Sequence, residues 1–152
     1  MICFHNVDEP NGYLSNWLNC QLIENGQKFA SVEQYMMWNK AIRFHDQKRA
    51  DLILETTDPA RIKQLGREVE GYNEIIWNGI RPIIVYRGLM LKFTQNEELK
   101  KLLLDTKDEI LAECAVHDHI WGIGLSMSDP NRFDLHKWKG ENRLGFALME
   151  VR

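Results

Sequence analysis

From Ala30 to Phe44 the chain carries Val32, Tyr35, Met36, Met37, Trp38, Ala41, Ile42 and Phe44 with no Gly or Pro among them. On a helical wheel these side chains point in almost every direction, and a helix that is apolar nearly all round is buried. Ser31 stands where an N-cap is wanted, so the pattern predicts a buried helix opening at Val32. Two ionisable residues interrupt it, Glu33 and Lys40. Their seven-residue spacing is close to two full turns, which puts both on one face with Met36, Met37 and Phe44 around them.

The flanking pattern alternates short strands with helices. Residues 1–6 suit a strand, Glu9-Pro10-Asn11-Gly12 reads as a turn, and Leu14-Ser15-Asn16-Trp17 as a loop or helical turn. Residues 21–29 read as a β-hairpin around Asn25-Gly26. Asp46 caps a helix running to residue 54, and Asp58 with Pro59 opens another to about residue 68, broken at Gly71. Asn73 begins a short helix over 74–78. Pro82 opens a long one over 83–94, where Ile83, Ile84, Tyr86, Leu89, Met90 and Phe93 recur at three and four. Asn96 with Glu97 and Glu98 starts a helix ending near Leu104, residues 110–115 read as a strand that joins the N-terminal hairpin, and Asn142 caps a last helix to residue 150. The pattern predicts an α+β fold, a predominantly helical single domain over residues 1–152 with a small antiparallel sheet near its N-terminus.

Composition narrows the function classes. At 152 residues, 44% hydrophobic and 27% charged, the chain is an ordinary globular domain with a proper core. A net charge of −3 leaves no global basic field for gripping duplex nucleic acid, though a local phosphate pocket remains open. That balance favours a nucleotide-sized ligand over a long polymer. Cys3, Cys20 and Cys114 are odd in number and lack CxxC spacing, against a disulfide scaffold or structural zinc and in favour of a reducing compartment. With neither a signal-peptide pattern nor an apolar run of membrane-spanning length, the expectation is a cytoplasmic protein without a membrane partner. Five Trp, six Phe and four Tyr suit stacking on a base and a large core equally.

Candidate chemistry centres on Glu33 and Lys40. They read either as a helix-surface ion pair or as an active-site carboxylate and lysine in an apolar wall, since ionisable groups are rarely buried without a partner or a task. Asp118-His119-Ile120-Trp121-Gly122-Ile123-Gly124 joins an acid, an aromatic plate and two glycines, and reads as a ligand-approached loop or a plain turn. His117-Asp118-His119 lacks a third nearby His or Cys, so no metal site is expected. P-loop, GxGxxG and GxSxG patterns are absent, and Cys114 reads as core. Among Arg61, Lys63, Arg67, Arg81, Arg87 and Lys92, Arg67 is the phosphate candidate, because Gly66 beside it lets the helix be approached.

Taken together, Leu14-Ser15-Asn16, Ser31-Val32-Glu33-Gln34-Tyr35, Lys40-Ala41, Leu65-Gly66-Arg67, Trp77, Lys92-Phe93-Thr94-Gln95-Asn96, Asp118 with Trp121-Gly122-Ile123-Gly124, and Asn142-Arg143-Leu144-Gly145 resemble the NADAR family, also called YbiA-like, in order and spacing over residues 4–152. The resemblance implies an N-glycosidase acting on ribosyl compounds. One branch cleaves phosphoribosylamino intermediates of early riboflavin synthesis; another removes ADP-ribose from guanine bases in nucleic acid. Gln34 stands where many members carry His, and the basic run that some riboflavin-linked members show before the Trp is missing at Trp77. The compact form is similar to the ADP-ribose-processing side. On this resemblance Lys40 is the expected nucleophile, holding the sugar as a Schiff base. Glu33 is the proton shuttle, and Asp118 orients ribose hydroxyls or water. Trp77 and Trp121 form pocket walls, Asn16, Asn142 and the Gly122 and Gly145 backbones hold polar atoms, and Arg67 meets phosphate. No metal or redox cofactor is required. The competing classes are a non-catalytic ADP-ribose-binding module and a purely structural domain.

Overall fold

The computed structural model describes residues 1–152. In chain order the elements are β1 (Ile2–Phe4), β2 (Leu22–Glu24), β3 (Gln27–Phe29), α1 (Val32–Arg43), α2 (Gln47–Leu54), α3 (Pro59–Arg67), α4 (Glu74–Gln95), α5 (Glu97–Asp105), β4 (Leu111–Glu113) and α6 (Arg143–Val151). The fold is the expected mostly helical α+β arrangement. It divides into two compact units, Asn19–Asn96 on the one hand and Met1–Leu18 with Glu97–Arg152 on the other. No helix is long and apolar enough to cross a membrane.

In the unit Asn19–Asn96, Asn25 and Gly26 adopt φ of 51° and 82°, the two positive values a type I′ turn needs, and close β2 onto β3 in an antiparallel pair. The chain then enters α1 through Ser31, whose hydroxyl accepts the Gln34 N–H at 3.1 Å. Val32, Tyr35, Met36, Met37 and Ala41 are buried because α1 is wrapped by α2, α3 and α4. Asp46 caps α2 through Oδ1 while its Oδ2 accepts Glu70 N–H at 2.9 Å, tying the start of α2 to the turn after α3. Those backbone donors hold its carboxyl below the usual range.

Two sequence expectations change here. Residues 74–78 and 83–94 are one continuous helix, α4, with Pro82 inside it. Pro82 offers no N–H to the Asn78 carbonyl, a loss of about 3 kcal/mol in a helix interior. Burial of Trp77 on one side of it and of Ile84, Val85, Leu89 and Phe93 on the other holds the helix through the defect. The strand at 110–115 does not join the hairpin. As β4 it pairs with β1, in parallel, with Cys3 opposite Ala112, so the fold has two separate two-stranded sheets.

In the second unit β4 is flanked by α6, and Cys3, Ala112, Cys114, Ile123 and Leu125 make a small core over the β1–β4 pair. Asn142 stands at the N-cap position of α6, but its side chain does not cap the helix. Its φ is 51° and its side chain makes no cap bond. Instead Nδ2 donates to the Leu111 carbonyl (2.9 Å) and Oδ1 accepts the Glu113 N–H (3.1 Å), continuing the ladder of β4 with a side-chain amide.

Candidate active site

Lys40 stands in the last turn of α1, where its stem crosses toward α3 and the start of α4. Its Nζ donates to the Gly66 carbonyl at 2.8 Å and lies 4.4 Å from the ring centroid of Tyr72 and 5.8 Å from that of Trp77. Gly66 makes this approach possible. A Cβ there would overlap the Met37 side chain, so glycine lets α3 close on α1 and turn its carbonyl to the lysine. Phe44 braces Tyr72 edge-on, with centroids 5.7 Å apart.

Electrostatics around the amine are one-sided. Burial pushes the Lys40 ammonium below its ordinary pKa, and the positive fields of Arg81 and Arg67 push it further the same way. Three cations thus share one neighbourhood walled by aromatic rings. That arrangement disfavours the charged form of the lysine and makes the local field positive. Glu33 lies on the same helix, 5% exposed, about 10 Å from Lys40 along the axis.

Of the residues expected at the site, Lys40, Arg67 and Trp77 come together, with Glu33 on the same helix. Tyr72 and Arg81 belong with them and were not singled out. Arg81 falls between two helices when Pro82 is read as a helix start. In the continuous α4, Trp77 and Arg81 are four residues apart on one face. No pattern in the sequence marks Tyr72; it follows the positive-φ turn at Gly71 and is placed by tertiary packing. Gln34, the departure from the family pattern, has a structural task. Its Oε1 accepts Ala30 N–H (2.6 Å) and its Nε2 donates to the Ile53 (2.9 Å) and Thr56 (2.7 Å) carbonyls. An imidazole, with two ring nitrogens, cannot make all three bonds.

The remaining expected residues lie in the other unit. Asp118 Oδ1 accepts the N–H groups of Ile120 (3.1 Å) and Trp121 (2.8 Å) and so shapes the loop. Gly122 is buried, and a Cβ on it would press within 2.9 Å of Ala115 Cβ and the Glu113 carbonyl. Gly145 is more constrained still: a Cβ there would overlap the Leu111 carbonyl and the Asn142 amide. Asn142, Gly122 and Gly145 thus each have a packing role beside β4 in addition to the contacts expected of them. Asn16 differs from them. It is buried, and its Oδ1 has no hydrogen-bond donor among the protein groups. Nowhere do three His, Cys, Asp or Glu side chains converge as a metal-binding group.

Comparison with known proteins adds to this geometry. The NADAR domain model matches residues 3–152. N-glycosidase R617 of Acanthamoeba polyphaga mimivirus is 41% identical over 99% of this chain and 94% of its own length. The riboflavin biosynthesis protein VVA0006 of Vibrio vulnificus is 32% identical over 99% of this chain, which spans 37% of that protein. N-glycosidase YbiA of Escherichia coli is 28% identical over all of this chain and 86% of its own length. The NMR structure of E. coli YbiA superposes with a TM-score of 0.81, covering 99% of this chain and 82% of that one.

Proposed function

The chain belongs to the NADAR family and is an N-glycosidase, and on that premise we propose that it removes ADP-ribose from modified guanine bases in nucleic acid. The observation that carries the chemistry is the Lys40 amine, lowered in basicity by burial and by Arg81 and Arg67, and seated against Tyr72 and Trp77. In this reading the ribose ring opens, and the neutral Lys40 amine adds to C1. The C1–N bond to the base breaks as the departing nitrogen takes a proton, with Glu33 as proton shuttle. The resulting Lys40 Schiff base is hydrolysed by water, which returns the free amine and releases the sugar as its aldehyde. Arg67 and Arg81 hold phosphate oxygens of the departing sugar. Support for the ADP-ribose branch comes from the Ser31-Val32-Glu33-Gln34-Tyr35-Met36-Met37 and Trp121-Gly122-Ile123-Gly124-Leu125-Ser126 segments, which are similar to that side of the family.

A second reading follows from the Vibrio relative named for riboflavin biosynthesis. The same lysine and guanidinium groups suit a phosphoribosylaminopyrimidine, which also presents a ribosylamine and a phosphate.

Mass spectrometry after incubation with DNA carrying ADP-ribosylated guanosine, with and without borohydride, tests the assignment. The expected result is free ADP-ribose, and with borohydride a reduced adduct on Lys40. Lys40→Ala should lower turnover about a thousandfold or more while retaining ADP-ribose binding. Turnover by Lys40→Ala at the parent rate would remove the Schiff-base route. No release from the DNA, with cleavage of the phosphoribosylaminopyrimidine, would give the protein to the second reading.

A further inference from the structure

Helix α4 leaves one face bare. Counting 100° per residue from Gly79, Ile75, Ile76, Pro82, Ile83, Tyr86 and Met90 fall within about 60° of a single line along the helix. Ile75 is 84% exposed and Ile83 61%, with Ile76 and Tyr86 also exposed. No charged residue shares that sector over more than three turns. The nearest, Arg87, lies about 80° round and is paired with Glu24 at 2.8 Å. A continuous apolar stripe of this length is a docking surface, unlike singly scattered surface hydrophobics.

Its sequence says what docks there. Read outward from Gly79 in either direction, the helix presents an apolar residue at the third place and isoleucine at the fourth: Ile76 and Ile75 one way, Pro82 and Ile83 the other. An antiparallel pair of α4 helices with its two-fold axis at Gly79 sets Ile75 opposite Ile83 and Ile76 opposite Pro82, a self-complementary contact of the kind an isologous dimer requires. The glycine fits the axis. A Cβ built on it meets nothing within 4 Å, so no packing inside its own chain calls for glycine in the middle of a helix, where it is destabilising. At a crossing point it lets two backbones approach. We propose that this face of α4 pairs two copies of the chain about a two-fold axis at Gly79. The pairing places Tyr86 of the second copy at the N-terminal end of α4, the end the chain enters from Tyr72, whose ring faces Lys40 Nζ.

One helix face is a small interface, toward or below the roughly 1,200 Å² lower end of stable complexes, so the dimer is weak and concentration-dependent. Sedimentation equilibrium of the full chain should show the mass rising from 17.9 kDa toward twice that as concentration approaches about 1 mM. Ile83→Glu, an outward change that leaves circular dichroism and melting unaltered, should weaken association at least tenfold. Gly79→Cys should cross-link to itself under mild oxidation, identified as a symmetric disulfide by peptide mass spectrometry, whereas Gln64→Cys, exposed on α3, should not. A mass of 17.9 kDa at every concentration, or equal cross-linking of the two cysteine variants, overturns the proposal. If wild type is monomeric yet binds neutral phosphatidylcholine vesicles through Ile83, the stripe belongs to a lipid surface and the proposal fails.

Discussion

Lys40 is held below its ordinary basicity first by burial and then by neighbours that repel its charge. An amine that hydrogen-bonds a carbonyl and lies over aromatic rings is attracted as an ammonium, and those contacts alone would raise its pKa. Burial, Arg81 and Arg67 outweigh them, so the net shift is downward. If the neutral amine is the nucleophile, kcat rises with pH and reaches its plateau below the ordinary lysine value. Replacing Arg81 by Gln removes one of the lowering charges and should move the ascending limb of the kcat–pH profile to higher pH. A KM increase alone, with the limb unmoved, would leave Arg81 as a binding group without influence on the lysine. Part of this cluster was legible in the chain itself: Lys40 as an ionisable residue on an apolar helix, Arg67 by the glycine beside it. Tyr72 was not, because a residue outside any regular element leaves no periodic trace. Arg81 was hidden by the reading of Pro82 as a boundary.

Elements are held in place by a few residues whose roles resemble ligand binding when seen only in sequence. Asn142 and Gly145 show this best. A family-typical Asn before a helix reads as a cap, yet in the positive-φ region its amide turns away from α6 and pairs with β4. Gly145 allows α6 to lie against the Leu111 carbonyl. Asn142→Ala strands a buried donor and a buried acceptor and should lower unfolding stability by about 2–4 kcal/mol. Gly145→Ala forces backbone apart and should cost about 1–3 kcal/mol. Urea denaturation reads both; an unchanged midpoint in either variant would return that residue to the list of substrate contacts. The contrast with Ser31, Asp46 and Asp58 is instructive. Each caps its helix as its position predicts, because capping is decided by atoms within three residues of chain.

At the scale of the whole molecule, charge bookkeeping separates global from local fields. The net charge of −3 coexists with the Lys40–Arg67–Arg81 cluster, so the local positive field arises from placement, not composition. Lys92 is completely buried in α4, and burial brings its pKa down to about 8, with a smaller opposing pull from Cys20. In the unfolded chain it titrates near its ordinary 10.5. Between those values the unfolded state binds the extra proton, so stability should rise as pH climbs from about 8 toward 10, by on the order of 2–3 kcal/mol if Lys92 acts alone. Above that, Tyr35, pushed up to about 12 by burial and then by its hydrogen bond to Glu24, acts with the opposite sign, and stability should fall. Urea midpoints across this range test both limbs; a flat profile would mean that Lys92 keeps its proton when folded. By itself the sequence determined the helices with local caps, the type I′ hairpin, the buried character of α1 and the family, since each is encoded in near neighbours or in motifs in register. Only the tertiary structure decided that α4 runs through Pro82, that β4 pairs in parallel with β1, and that Tyr72 and Arg81 stand at Lys40. Those outcomes depend on burial of surfaces far apart in the chain, which no local pattern records.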